Sequence, residues 1–249
     1  MDTILTIKNL SKTYYTKEAE ILAIDQIHAS FAKNGITAIV GPSGCGKSTL
    51  LNIIGGLETK TEGEIDFSEK ETKIGYMFQS DCLFPWLTIL DNCLLGLKMQ
   101  KKITSQKKQE VIELLKDYGL GEFIDRYPNQ LSGGMKQRVA LIRTLAINPD
   151  ILLLDEPFSA LDFETRLRVS DDVYRIIKER KKTTIIITHD IEEAIAFSDR
   201  VIVLSKRPAK IKAVYDIQLT DGGGPIKNRN TKEFQEYYQK IWEVFDHEV

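Results

Sequence analysis

The chain has 249 residues, of which 42% are hydrophobic and 28% are charged, so it can bury a sizeable core. This composition argues against intrinsic disorder, collagen-like repetition and a small disulfide-stapled scaffold. The formal net charge of −2 provides no bulk attraction to nucleic acid or acidic lipid. We therefore expect no nucleic-acid partner, and we expect any bound anion to be held by a local site.

The first forty residues predict short strands. Apolar and β-branched runs occur at Leu5–Ile7, Ala29–Phe31 and Ile36–Val40, and polar turns separate them. No basic region precedes a long apolar run near residue 1, which argues against a secretory signal. No apolar run approaches the roughly 20 residues that a membrane-spanning helix needs. The cysteines form no CxxC pair, which favours a reducing compartment.

A phosphate-binding loop follows the third predicted strand. Residues 41–49 read GPSGCGKST, the G-x-x-x-x-G-K-[ST] pattern, and a helical apolar pattern runs from Lys47 to a stop at Gly55–Gly56. In this context Lys47 reaches the β- and γ-phosphates and Ser48 ligates Mg²⁺. The predicted phosphate-binding set is Gly41, Pro42, Ser43, Gly44, Cys45, Gly46, Lys47, Ser48 and Thr49.

The middle of the chain changes from strands to helices. Short strands are predicted at Gly63–Phe67 and Ile74–Phe78, and apolar residues on one helical face lie between Val111 and Tyr118. A further helix is expected from about Gly134 to Ile147. The central part is thus a helical insertion between strands.

A second candidate anion site precedes that last helix. Residues 131–138 read LSGGMKQR, so Ser132, Gly133 and Gly134 offer a hydroxyl and N–H groups at a helix N-terminus. An ordinary helix cap is the alternative interpretation of these three residues taken alone.

Two carboxylates end the next predicted strand. Residues 151–156 read ILLLDE, an apolar run whose acidic end lies where ligands bind in open α/β sheets. Asp155 is placed to hold Mg²⁺ through water, and Glu156 to orient and polarise an attacking water molecule. Without the phosphate loop, a helix cap or a solvated turn would be the alternative.

The remaining sequence alternates between helical and strand patterns. This alternation indicates a parallel sheet with elements at Phe163–Arg180 (helix), Thr183–Thr188 (strand), Ile191–Phe197 (helix) and Val201–Leu204 (strand). Gly222–Pro225 is linker-like, and Thr231–Asp246 carries apolar residues at helical spacing.

The order of these motifs resembles the ATP-binding cassette (ABC) ATPases of transporters. LSGGMKQR, about twenty residues before ILLLDE, is similar to the signature motif of that family. The resemblance covers about residues 3–215 and implies an α/β fold: a P-loop NTPase core with a RecA-like parallel sheet, an N-terminal antiparallel β region and an inserted helical subdomain. It also implies hydrolysis of ATP with Mg²⁺.

The resemblance implies roles for further residues, one position at a time. Gln79 matches the Q-loop glutamine, which contacts Mg²⁺ and the reacting water. Asp162 belongs to a D-loop match at Ser159–Asp162, and His189 matches the switch histidine at the γ-phosphate. Tyr14 matches the aromatic platform for adenine, with Tyr15 as a rival for that role. Lys47, Gln79, Glu156 and His189 are therefore the expected catalytic residues.

The resemblance also implies partners and a location. Two ATPase subunits, identical or paralogous, are expected to pair head to tail with ATP between Lys47 of one and Ser132 of the other. Residues 78–98, with Pro85–Trp86 and Asp91–Asn92, resemble ATPase subunits of nitrate, sulfonate and taurine importers. Transmembrane permease subunits should dock there, with an extracytoplasmic solute-binding protein as an indirect partner. The chain is then peripheral, at the cytoplasmic face of the cell membrane.

We expect one ABC ATPase domain over residues 1–249, with its core at 1–81 and 149–220, a helical subdomain at 82–148 and a C-terminal helix at 231–246.

Several alternatives stay open at this level. Part of the apolar 78–98 segment can be core rather than docking surface. An exporter subunit, or a soluble cassette ATPase outside transport, is the alternative function, and the sequence does not indicate the solute.

Overall fold

A computed structural model of the protein describes residues 2–220 and 222–246, and it contains two sheets. The smaller sheet is antiparallel, in the order β2-β1-β4. Its strands are β1 (Thr3–Tyr15), β2 (Glu20–Ala32) and β4 (Glu62–Phe67). The pairing of β1 with both neighbours, and the burial of apolar side chains of β1 and β2 against the larger sheet, stabilise this sheet.

The larger sheet has six strands in the order β5-β6-β7-β3-β8-β9. The first five are parallel, and the last pairs antiparallel with its neighbour. Its strands are β3 (Ile36–Val40), β5 (Ile74–Met77), β6 (Ile151–Asp155), β7 (Thr183–Thr188), β8 (Arg200–Leu204) and β9 (Ile211–Asp216). The observed architecture confirms the predicted α/β class.

Helices flank this sheet, and three of them lie between β5 and β6 in the chain. The helices of the described residues are α1 (Lys47–Ile54), α2 (Ile89–Met99), α3 (Ser105–Asp117), α4 (Gly133–Ala146), α5 (Phe163–Glu179), α6 (Ile191–Phe197), α7 (Pro225–Asn228) and α8 (Lys232–Asp246). No helix in this part of the chain is both long and apolar enough to cross a lipid bilayer.

The parallel strands are buried on both faces. In β3, Ala38 and Val40 enter the core cluster beneath α2 to α6, whereas Ile39 enters the cluster between the two sheets. In β6, Leu152 and Leu153 divide in the same way. Such two-sided burial explains why these strands are continuous apolar runs rather than alternating ones.

Most predicted helices and parallel strands occur close to their predicted bounds, but β1 and β2 are 13 residues long each and extend well beyond the short runs predicted at Leu5–Ile7 and Ala29–Phe31. The strand predicted to end at Phe78 ends at Met77, and the tail helix begins at Lys232 rather than Thr231. The sequence pattern does not predict three elements: α2, β9, and α7, which begins at Pro225 inside the expected linker. Proline at the first helical position explains that start, because its φ is already helical and its missing N–H is not needed there.

The domain boundaries stay predictions. Within the described residues, α2, α3 and α4 fall inside the expected helical subdomain at 82–148. Residues 1, 221 and 247–249 of the expected 1–249 domain lie outside the described residues.

Candidate active site

Four predicted site segments meet at one edge of the parallel sheet. The phosphate loop follows β3, Gln79 follows β5, Glu156 follows β6 and His189 follows β7. Parallel strands place their carboxyl ends at the same edge, which is where ligands bind in such sheets. An open cleft of about 870 Å³ lies there, lined by Gly41, Pro42, Ser43, Gly44, Gly46, Lys47, Ser48, Thr49, Gln79, Glu156, His189, Lys206 and Phe245.

The phosphate loop depends on backbone shapes that favour glycine. Gly44 and Gly46 have φ values of +72° and +120°, which L-residues with a side chain adopt only at a cost. A Cβ atom at Gly46 would also lie 3.2 Å from the carbonyl oxygen of Ala23. The loop leads directly into α1, so the N–H groups at the start of that helix are available to phosphate oxygens.

Lys47 is held inside this loop. Its side chain is buried, and Nζ donates to the carbonyl oxygens of Gly41 at 2.8 Å and Pro42 at 3.0 Å. An ammonium group has three donors, so one remains for a phosphate oxygen. The loop carbonyls therefore fix the position of the charge before nucleotide binds.

The first carboxylate of ILLLDE contacts the end of the phosphate loop. Ser48 Oγ donates to Asp155 Oδ1 at 3.2 Å, and Tyr76 Oη lies 3.4 Å from Asp155 Oδ2. Burial raises the pKa of Asp155, with the charge of Glu156 adding to the shift, and burial likewise raises the pKa of Tyr76. A cation beside Asp155 would offset this cost of a buried charge.

The same pair of oxygens fits Mg²⁺. Mg²⁺ is a hard cation that typically takes one or two protein oxygens and completes its shell with water and substrate phosphates. Ser48 Oγ and Asp155 Oδ1 are such oxygens, and they lie beside the phosphate loop. The described residues contain no cluster of three or more His, Cys, Asp or Glu side chains arranged to hold a metal by themselves.

Glu156 occupies the centre of the cleft edge. Its Oε2 atom accepts a hydrogen bond from Gln79 Nε2 at 3.3 Å and lies 3.2 Å from Nδ1 of His189. Its φ is +43°, an uncommon backbone conformation for a residue with a side chain and one that clusters at functional sites. Three of the four expected catalytic side chains thus meet at one carboxylate oxygen.

Of the two candidate adenine platforms, Tyr14 lies nearer the loop. Its Oη atom is 3.3 Å from Oγ1 of Thr49, and its ring is half-buried, whereas Tyr15 is 67% exposed. Lys12 Nζ lies 4.8 Å from the centre of the Tyr14 ring. The contact of Tyr14 with Thr49, which lines the cleft, favours Tyr14 over Tyr15.

Other predicted residues lie outside the cleft of this single chain. Ser132 Oγ accepts from Met135 N at 3.4 Å and caps α4, and Asp162 Oδ1 accepts from Thr165 N at 3.0 Å and caps α5. Together with Gly133 and Gly134, they are not among the residues that line the cleft. The Cys45 side chain is only 1% exposed and packs in the core between the sheets.

Two residues that line the cleft, Lys206 and Phe245, and one beside Asp155, Tyr76, were not predicted. Lys206 follows β8, so the strand-end rule that located His189 would have found it. Tyr76 donates to Asn52 Oδ1 at 2.7 Å and adjoins Asp155, and Phe245 reaches the cleft from the far end of α8. No local signal indicates either contact, because both depend on long-range packing.

Comparison with known proteins agrees with this geometry. Residues 24–159 match the family model described as "ABC transporter". An uncharacterized ABC transporter ATP-binding protein, YtlC of Bacillus subtilis (strain 168), is 43% identical over 96% of this chain and 94% of its own length. An aliphatic sulfonates import ATP-binding protein, SsuB of Bacillus cereus, is 37% identical over 98% of this chain and 96% of its own length.

A solved structure has the same fold. The dimeric structure of a post-hydrolysis state of the ATP-binding cassette MJ0796 bound to ADP and Pi superposes with a TM-score of 0.74 and is 35% identical in sequence. The match covers 86% of this chain and 99% of that chain.

Proposed function

The chain belongs to the ABC transporter family as an ATP-binding subunit that hydrolyses ATP to drive transport, and on that premise we propose that it serves an importer of a small anionic or organic solute such as nitrate, a sulfonate or taurine. Taurine is an aminosulfonate that is zwitterionic near neutral pH, whereas nitrate is an inorganic anion. The observation that carries import is the 37% identity to the sulfonate import protein over nearly the whole of both chains.

The proposed mechanism starts with phosphate binding. Lys47 and the N–H groups at the start of α1 hold the phosphates, and Ser48 and Asp155 would hold Mg²⁺. When bound, Mg²⁺ would neutralise charge on the phosphate oxygens. These residues position ATP rather than react with it covalently.

Hydrolysis is proposed to depend on Glu156. Its carboxylate orients and polarises a water molecule and accepts a proton from it, as the water oxygen bonds to the γ-phosphorus and the bond to the ADP oxygen breaks. Gln79 and His189 fix this carboxylate from two sides. Positioning of this kind supplies much of the rate enhancement in phosphoryl transfer.

A second copy or a paralogue is proposed to complete the site. Ser132, Gly133 and Gly134 stand at the N-terminus of α4, where its first N–H groups are, and they do not line the cleft of their own chain. The related cassette MJ0796 has a dimeric structure bound to ADP and Pi. Closure of such a dimer on ATP, and its release after hydrolysis, would move attached membrane subunits.

A docking groove lies beside the segment that follows β5. It has a volume of about 330 Å³ and its lining is mainly apolar, with Tyr76, Phe78, Phe84, Leu95, Met99 and Ile147 among the lining residues. Leu83 is core, but Trp86 is 70% exposed and Met99 is 79% exposed. Exposed apolar surface of this kind marks interaction sites, so we assign it to a permease subunit.

Affinity purification of the tagged chain from its native cell, in mild detergent with mass spectrometry, tests the proposal. A multispanning permease with an extracytoplasmic solute-binding protein would support import at the cytoplasmic face of the membrane. A permease without a binding protein would favour export, and only soluble partners would favour a non-transport ATPase. A Trp86→Ala chain is the matched control, because it should lose the permease and keep ATP binding.

A further inference from the structure

An arginine on α4 holds the segment that follows Gln79. Arg143 Nη1 donates to the carbonyl oxygen of Cys82 at 2.6 Å, and Nη2 donates to that of Asp81 at 2.7 Å. The two bonds engage consecutive backbone carbonyls, so they fix both the position and the direction of the chain there. Arg143 lies outside the octapeptide LSGGMKQR, five residues beyond its end.

The turn held by Arg143 is followed by a second anchor, where Phe84 N donates to Asn92 Oδ1 on α2 at 2.8 Å, but within residues 80–82 the other side-chain contacts are local. Cys82 has a φ of +47°, a conformation that costs free energy for a residue with a side chain. Asp81 Oδ1 accepts from Leu83 N at 3.0 Å, and Ser80 Oγ lies 3.1 Å from Cys82 Sγ. These contacts are local to the turn, whereas the two bonds from Arg143 join the turn to α4.

Arg143 also joins three functional regions. It lies on the same helix as Ser132, eleven residues on, which is about 16 Å along the axis. It lines the docking groove together with Phe84 and Met99. The turn whose carbonyl groups it binds follows Gln79, and Gln79 donates to Glu156 Oε2.

We propose that Arg143 is a positioning residue, which holds Gln79 against Glu156 and transmits movements of α4 to that contact. This inference rests on the proposed roles of Gln79 and Glu156 in hydrolysis. Because α4 is a continuous helix, a shift at Ser132 or at the groove moves Arg143 with it, and the two carbonyl bonds carry the shift to the turn. Arg143 itself touches neither nucleotide nor water in this scheme.

A double-mutant cycle on the purified full-length chain tests the inference. Arg143→Ala should lower kcat for ATP by about tenfold and change the ATP dissociation constant less than twofold, because misplacing a catalytic contact affects turnover more than binding. In a Gln79→Ala background the same change should lower kcat less than twofold. Arg143→Lys, which keeps the charge and part of the hydrogen bonding, should recover part of the loss and serves if the alanine variant fails to fold.

Arg138→Ala is the matched control. Arg138 lies on the same helix and also donates to a backbone carbonyl, that of Tyr118 at 3.1 Å, but it does not grip the turn. Arg138→Ala should change kcat by the same factor in the unmodified chain and in the Gln79→Ala chain.

The possible results distinguish a failure of the proposed role of Gln79 from a failure of the proposed role of Arg143. If Gln79→Ala leaves kcat unchanged, the proposed role of Gln79 fails, and the Arg143 inference fails with it. If Gln79→Ala lowers kcat, but Arg143→Ala lowers kcat by the same factor in the Gln79→Ala chain as in the unmodified chain, Arg143 has only a general structural role. In that case this inference alone is overturned.

Discussion

Oε2 of Glu156 lies 3.2 Å from Nδ1 of His189, at the ends of two adjacent parallel strands. The glutamate side chain is 19% exposed and the histidine side chain 57% exposed. The carboxylate is thus shielded from bulk water on one side and held by a ring nitrogen on the other. This arrangement suits a group that must orient one water molecule.

Glu156→Gln should abolish turnover without abolishing binding. Glutamine keeps the shape of the side chain but loses the negative charge that polarises the water, and removal of a general base lowers rates by about 10²- to 10⁴-fold. We expect an ATP-bound dimer to accumulate, measured by steady-state hydrolysis and by size-exclusion chromatography with ATP. Glu164→Gln, at an exposed ion pair with Arg168 on α5, is the control. Normal turnover by the Glu156 variant would refute the assignment.

Lys47→Ala should weaken nucleotide binding. The buried ammonium group aimed from the loop is lost, and a charge-assisted hydrogen bond of this kind contributes about 1.5–3 kcal/mol, which is roughly 10- to 150-fold in affinity. Titration with a fluorescent ATP analogue measures the change. Lys33→Ala removes an exposed lysine paired with Glu69 and should bind as the unmodified chain does. Equal affinities of all three proteins would contradict the phosphate-loop assignment.

Asp155→Asn should raise the Mg²⁺ concentration that half-maximal hydrolysis requires. The amide retains a hydrogen bond with Ser48 but has no charge to offer the cation. A Mg²⁺ titration of ATP hydrolysis measures this, with Asp66→Asn, at an exposed pair with Lys8, as control. An unchanged Mg²⁺ requirement would remove Asp155 from the proposed metal site.

Glu193 makes stability depend on pH. It is 5% exposed on α6, and burial raises its pKa from 4.5 to about 8. Asp190 adds to this shift, whereas Thr188, Arg166 and Arg229 oppose it. Between these two pH values the folded chain keeps a proton that the unfolded chain releases, so the free energy of unfolding falls as pH rises through the window.

Glu193→Gln should remove this fall in the free energy of unfolding with rising pH. Glutamine resembles the protonated carboxyl group and does not ionise, so the variant should gain on the unmodified chain by up to about 1.4 kcal/mol per pH unit between about pH 5 and pH 8. Urea unfolding at a series of pH values measures the difference. All other groups titrate in both proteins, so the difference isolates residue 193, and a constant difference across the range would contradict the shift.

Local sequence explains why the motifs could be located. The phosphate loop needs glycine at positions with positive φ and a lysine at the start of a helix, and these requirements involve residues close in the chain. The strand ends at Asp155 and His189 follow from apolar runs of the right length. Even so, the pattern predicts a linker where α7 begins, because a helix of four residues has too little periodicity to detect.

The sequence alone determined the α/β class, the order of the motifs and the residue types that bind phosphate, since each depends on local conformation and local periodicity. Only the tertiary structure decided that Gln79 and His189 share one oxygen of Glu156, and that Arg143 grips the turn after Gln79. Those contacts join residues that are distant in the chain, and the strand order β5-β6-β7-β3-β8 that brings them together arises from crossovers. Periodicity sets which residues face the core, whereas packing of the whole sheet sets which strand ends meet.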